Sequence, residues 1–170
     1  MATELEDLRL LQMAEGIADN VWRKVIQWAE FPRGVVGQQL ARAVDSIGAN
    51  IAEAYGRFHY GEKAQFLYYA RGSLFETKYW LNRSLARNLL VKQEHEEYAA
   101  GLTALARQLN SFVANLKRQK RQPETGKMVK ESAGDYFIAP IDDMPDLLFS
   151  EEEIAWLRET NGQAFPVSSH

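Results

Sequence analysis

The sequence predicts an all-α protein: an antiparallel up-down-up-down four-helix bundle, followed by a mostly irregular, acidic C-terminal extension that carries one short helix. Three observations carry that expectation. Between residues 3 and 121 apolar side chains recur at steps of three and four, the spacing of one helix face. Glycine and proline in that span fall at intervals that read as punctuation. The connections so marked are short, which sets consecutive helices side by side in opposite directions.

Thr3 with Glu6 fits a capping box that opens the first helix. Its apolar positions are Leu10, Met13, Ile17, Val21, Val25, Trp28 and Ala29. It is expected to stop at Phe31-Pro32, because proline disfavours helix in the residue before it and has no N–H to donate. A second helix is read from Val36 to Tyr55, burying Leu40, Val44, Ile47, Ile51 and Ala54, with Gly56 and Gly61 bracketing the turn that follows. The third covers Glu62 to Leu90. The fourth starts near Gln93 and carries Tyr98, Leu102, Leu105, Leu109, Phe112 and Leu116.

Residues 1–121 therefore form the bundle domain, and residues 122–170 an acidic linker and tail. Residues 122–134 are polar, and residues 135–149 mix apolar side chains with prolines and acids. Ser150-Glu151-Glu152-Glu153 is a second capping-box start, for a short helix near 150–160 containing Ile154, Trp156 and Leu157. That helix has too few neighbours for a core of its own, so it either docks on the bundle or awaits a protein partner through residues 140–160.

Composition removes many function classes. The 170 residues, 46% apolar and 25% charged, are those of one globular domain with an appendage. No apolar run approaches the roughly 18 residues that a bilayer demands, so no membrane partner is expected. The first ten residues carry acids where a secretory signal has basic side chains, which makes the cytoplasm the expected location. There is no cysteine, hence no disulfide, thiolate metal site or cysteine nucleophile, and the histidines are at 59, 95 and 170. The Glu-x-x-His step that bundle metal pairs use is absent. So are the Gly-x-Ser-x-Gly, P-loop and dinucleotide motifs. Asn50 and Glu53 lie one turn apart on the second helix, and Glu76 lies near Ser73 on the third. A carboxylate pair can do acid–base work in a cleft, but polar groups at a bundle seam more often fix helix register. With no nucleophile–base–orienter set, the chain is read as a non-enzyme with no cofactor and no metal.

Net charge is −3, yet residues 1–121 hold 17 basic against 13 acidic side chains, whereas residues 122–170 hold 3 against 10. The body is thus +4 and the tail −7, a split that hints at polyanion binding or a tail with a basic counterpart. The third helix has two apolar stripes on a 100° wheel. Ala70, Leu74, Thr77, Leu81 and Leu85 face the bundle; Tyr68, Phe75 and Tyr79 form a second stripe that one bundle cannot bury, and are read as an oligomer interface, with cover by the tail or by a bent neighbouring helix as the alternative. Candidate nucleic-acid contacts are Arg57, Lys63, Arg71, Lys78, Arg83 and Arg87 around this helix, joined by Lys117, Arg118, Lys120 and Arg121 at the end of the fourth. Cations beside tyrosines suit phosphates and bases, although cations at a helix C-terminus also complement the macrodipole unaided.

Phe31-Pro32, the stretch QLARAVDSIGANIAEAYGR at 39–57 and QFLYYARGSLFETKYWL at 65–81 resemble the four-helix-bundle family encoded in intervening sequences of bacterial large-subunit rRNA genes. Once described as a ribosomal protein, that family has distant relatives among the accessory proteins of diversity-generating retroelements. The likeness covers about residues 8–119, and Ser-Ile-x-x-Asn-Ile-Ala-Glu at 46–53 is its most specific part. Matching positions are Ser46, Ile47, Asn50, Ile51, Ala52 and Glu53, then Gly56, Arg57, Phe66, Ser73 and Glu76; Ala54 and Thr77 depart mildly. The resemblance implies a bundle that assembles into a ring, commonly a pentamer, with no enzymatic activity and a role in binding RNA or DNA. The extension beyond Arg121 lies outside the pattern: five bodies at +4 each carry +20, five whole chains at −3 each carry −15. The expected function is therefore an oligomeric nucleic-acid-binding or nucleoprotein-scaffolding protein. The alternative is a protein–protein adaptor with no nucleic-acid role that uses its tail as the docking segment.

Overall fold

The computed structural model describes residues 2–121, with side chains placed over residues 9–118. Among these residues all the regular structure is helical, joined by short turns, with no strand. Helix α1 spans Ala2–Val25. A single α-turn, Glu30–Pro32, and a π-turn, Arg33–Gly37, lead without a break into α2, Gln38–Gly56. Helix α3 spans Tyr60–Ala86 and α4 spans Lys92–Arg121. The expected extension with its short helix near 150–160 and the capping-box side chains of Thr3 and Glu6 lie outside the described residues.

Two boundaries correct the sequence reading. Helix α1 ends at Val25, not at Phe31-Pro32. The Ile26 N–H still reaches back four residues to Trp22 O, but Gln27 and Trp28 donate only three residues back, to Lys24 O and Val25 O at 3.1 and 3.0 Å. Ala29 is then extended, with ψ 158°. Pro32 falls in the first turn of the next helical stretch, where its missing N–H breaks no intrahelical bond. Proline here marks a start rather than a stop, and helical backbone begins at Glu30 instead of Val36. Helix α3 ends at Ala86, not at Leu90, because Asn88 adopts φ 57°. The Asn88 N–H bonds Leu85 O and the Leu89 N–H bonds Ser84 O, at 3.0 and 2.9 Å, closing a Schellman turn around a residue type that enters the left-handed region at little cost. Leu89 and Leu90 prolong the apolar period in sequence, but pack on the core from the turn.

The four helices close a ring of neighbours, with α1 on α2 and α4, and α3 on α2 and α4; the α2–α3 contact is the most extensive. Gly48 of α2 faces Leu11 and Ala14 of α1, and Gly101 of α4 faces Ile17. Leu40, Ile47, Leu67, Leu74, Leu81, Leu102 and Leu105 are each less than 2% exposed. At about 1.5–3 kcal/mol for each such side chain, apolar burial is the chief source of stability. The buried stripes of α2 and α3 are those the periodicity marks, Leu40 to Ala54 and Ala70 to Leu85. Ala29 of the first stripe is exposed, and Ala14 is buried in the core instead.

The α1–α4 seam also carries polar contacts. The Tyr98 hydroxyl donates to Asn20 O at 3.1 Å, and its pKa is raised by burial together with the Glu94 and Glu97 charges. Glu94 joins two elements: one carboxylate oxygen accepts from Lys24 Nζ at 2.6 Å, the other from the Val91 N–H at 3.0 Å, capping α4. Partial burial would raise the pKa of this carboxyl, but the Lys24 hydrogen bond, the Val91 N–H and the Lys24 charge outweigh it and hold the value below the ordinary one. A depressed folded-state value means stabilisation that is fully present above the unfolded pKa and lost as pH falls through the lower, folded one. Glu94→Gln is therefore expected to lower the urea midpoint at neutral pH. The difference from the parent chain should close as the buffer is taken below the ordinary glutamate range; a gap independent of pH would contradict the ion pair's role.

Candidate functional site

The Ser46 to Glu53 segment lies on α2 against α3. The Asn50 side-chain amide donates to Ser46 O one turn back at 2.8 Å and reaches across the seam to Ser73 Oγ at 3.4 Å. Ser73 Oγ in turn donates to Tyr69 O, and Thr77 Oγ1, fully buried, donates to Ser73 O at 2.7 Å. Ser46 Oγ satisfies Arg42 O. These groups use their polar atoms on each other and on the backbone, which fixes one register of α2 on α3. Glu53 is ion-paired with Arg57 one turn on, and Arg57 also lies over the Phe66 ring, 4.8 Å from its centroid. Glu76 is exposed on α3, and Gly56 is the last residue of α2. Arg57, Glu53 and Phe66 thus form a clamp at the α2–α3 turn rather than an acid–base pair.

With α3 held in this rotation, Leu74, Thr77 and Leu81 point into the core, and the second stripe faces outward. Phe75 is 37% and Tyr79 55% exposed, while Tyr68 is half-buried. The Arg71 guanidinium lies 5.8 Å from the Phe75 centroid, within cation–π range. Tyr79 packs edge-on against Trp80 with centroids 5.0 Å apart. Lys63, Lys78 and Arg83 are half-buried on the same helix, and Arg87 is exposed beyond its end. Lys117 is half-buried and Arg118 exposed on α4, where Arg118 bonds Asn115; the side chains of Lys120 and Arg121 lie outside the described residues. Across the α1–α2 seam, Asp45 is held above its ordinary pKa by burial and by the Asp19 charge.

A second unburied apolar surface escaped the sequence reading. Trp22 and Val25 of α1, with Ile26 just beyond its end, face Gly34, Gly37 and Ala41 across a groove of about 350 Å³, rimmed by Glu30, Arg33 and Gln38. Trp22 and Ile26 are 57% and 49% exposed, and Phe31 and Val35 stand exposed nearby in sequence. The π-turn builds one wall: the Gln38 N–H bonds Arg33 O five residues back, which widens the helix. Gly37 is needed there, since a Cβ would sit 2.5 Å from Val25 Cγ1 and 3.4 Å from the Trp28 ring. The signal was present, because Trp22 and Ile26 are four residues apart and off the buried stripe, the test that singled out Phe75 and Tyr79. Among the described residues no three His, Cys, Asp or Glu side chains come together as metal ligands, and no helix is long and apolar enough to cross a membrane.

Residues 6–111 match the family model of the 23S rRNA-intervening sequence protein. No curated protein matches the chain at a significant level.

The cross-seam bond assigns Asn50 a role in stability. Asn50→Ala is expected to cost about 1 kcal/mol, the usual worth of such a bond. In a double-mutant cycle with Ser73→Ala, measured by urea unfolding, the double variant should lose less than the sum of the two single losses; strict additivity would remove the bond from the account.

Proposed function

The chain belongs to the 23S rRNA-intervening sequence protein family, and from that premise we propose that it is a non-enzymatic, self-associating bundle that binds RNA or DNA or scaffolds a nucleoprotein complex. The observation that carries this reading is the outward face of α3, where exposed Phe75 and Tyr79 stand beside Arg71. An aromatic row of this kind on a soluble bundle suits a sister copy, and the family resemblance favours a closed ring of five. Covering the aromatics leaves Arg71, Lys78 and Arg83 on the flanks, where copies in a ring would add their fields and contact phosphates.

An up-down-up-down order of helices belongs to the same reading. It is supported by contact pairs whose numbers rise along one helix as they fall along the next: Ile17 with Gly101 and Lys24 with Glu94 for α1 and α4, Asn50 with Ser73 and Arg57 with Phe66 for α2 and α3. The family name ties its members to the 23S rRNA gene, which favours a nucleic-acid ligand over the adaptor alternative. The acidic tail opposes polyanions, so residues 122–170 would act as a competitor for the basic surface.

Fluorescence anisotropy with a labelled RNA hairpin and a DNA duplex tests the reading. Retention by the full chain should weaken steeply between roughly 50 and 200 mM salt. Lys78→Ala and Arg83→Ala should each reduce the log–log salt slope by about 1, and a chain ending at Arg121 should bind more tightly with a steeper slope. No retention of either polymer by the intact or the shortened chain at the lowest salt would end the nucleic-acid reading.

A further inference from the structure

The groove between α1 and the π-turn belongs to no part of the proposed nucleic-acid surface. We infer that it is the docking site of the chain's own C-terminal segment, Ile154-Ala155-Trp156-Leu157, bound within the same chain. The groove's size, about 350 Å³, lies at the small end of ligand pockets and suits a few inserted side chains better than the broad face of a second bundle. Its wall at Gly34 has no side chain, and a Cβ there would meet nothing within 4 Å, which lets a segment approach the backbone closely. Trp22 and Ile26 supply apolar walls that the bundle itself leaves half in water.

Charge and reach support this occupant. Both signs stand on the rim, Arg33 and Glu30. The segment brings a partner for each, with Glu151, Glu152 and Glu153 before its apolar residues and Arg158 after them. The groove lies at the end of α1 that meets the start of α4, as the Lys24–Glu94 pair shows, whereas the tail leaves from the other end of α4. Returning along α4, 30 residues long, means covering about 45 Å at 1.5 Å per residue. The 32 residues between Arg121 and Ile154 reach over about 100 Å when extended, so one chain can close on itself.

The chain has no cysteine, so a pair can be introduced into the full-length protein without background. Gln38→Cys at the groove rim with Ala155→Cys in the tail is compared, at low micromolar concentration under mild oxidation, with a control pair of Ala155→Cys and Ala104→Cys on the exposed side of α4. The groove pair should close an intramolecular disulfide at least about 10-fold faster than the control, and adding Trp156→Ser should bring it to the control rate. Hydrogen exchange of amides 22–41 should also rise in the full-length Trp156→Ser/Leu157→Ser variant, with α3 unchanged. Equal closure rates, disulfide-linked dimers in place of monomers, or exchange and closure indifferent to Trp156→Ser would each overturn the assignment.

Discussion

The packing of α2 on α3 is the constraint on which the rest of the structure depends. Ala43, Ala54 and Ala70 are nearly solvent-free in the core, and Ile47, Leu74 and Leu81 fill the space between. Apolar packing supplies the energy but tolerates some sliding; the Asn50 to Ser73 bond and the Arg57 clamp on Phe66 and Glu53 do not. Together they set the rotation of α3 about its own axis. Once Thr77 is buried and bonded to Ser73 O, Phe75 and Tyr79 have nowhere to go but outward. The Ser46 to Glu53 segment therefore helps decide which side of α3 faces outward.

Two apolar surfaces remain outside this core, and their chemistry differs. The α3 face is a line of aromatics flanked by cations, one of which already lies over a ring. In the proposed reading it meets another bundle, and its basic flanks meet phosphates. The surface at α1 and the π-turn is a concave groove with a glycine in its wall and a mixed-charge rim. Its shape favours a short segment, and the chain carries such a segment in its tail. In this account the tail serves two ends, an acidic counterweight to the body and an apolar anchor on it.

Much of the core was legible in the sequence, because the stripes of α2 and α3 keep strict helical steps. The second face of α3 was legible for the same reason, since the wheel puts Phe75 and Tyr79 away from Leu74 and Leu81. Boundaries were not. Phe31-Pro32 reads as a stop when proline is judged by what it forbids, yet a first-turn position forbids nothing; Leu89 and Leu90 continue a period that Asn88 interrupts through its backbone angle. Half of the groove was legible as well, since Trp22 and Ile26 stand four residues apart and off the buried stripe; its other wall was not, because it arises from a π-turn, and a five-residue hydrogen-bond step leaves no mark in hydrophobic periodicity. The Asn50 to Ser73 contact joins residues 23 apart, and only a known register could bring them together.

Self-association through the α3 face is the claim that the reading of assembly, charge and ligand shares. It is tested most directly by the mass of the native full-length particle, measured by light scattering over a range of concentrations. The account predicts a stable assembly, about 97 kDa for five chains of 19.4 kDa, which Tyr79→Glu breaks into single folded chains. A parent protein that stays at 19.4 kDa at every concentration would contradict it.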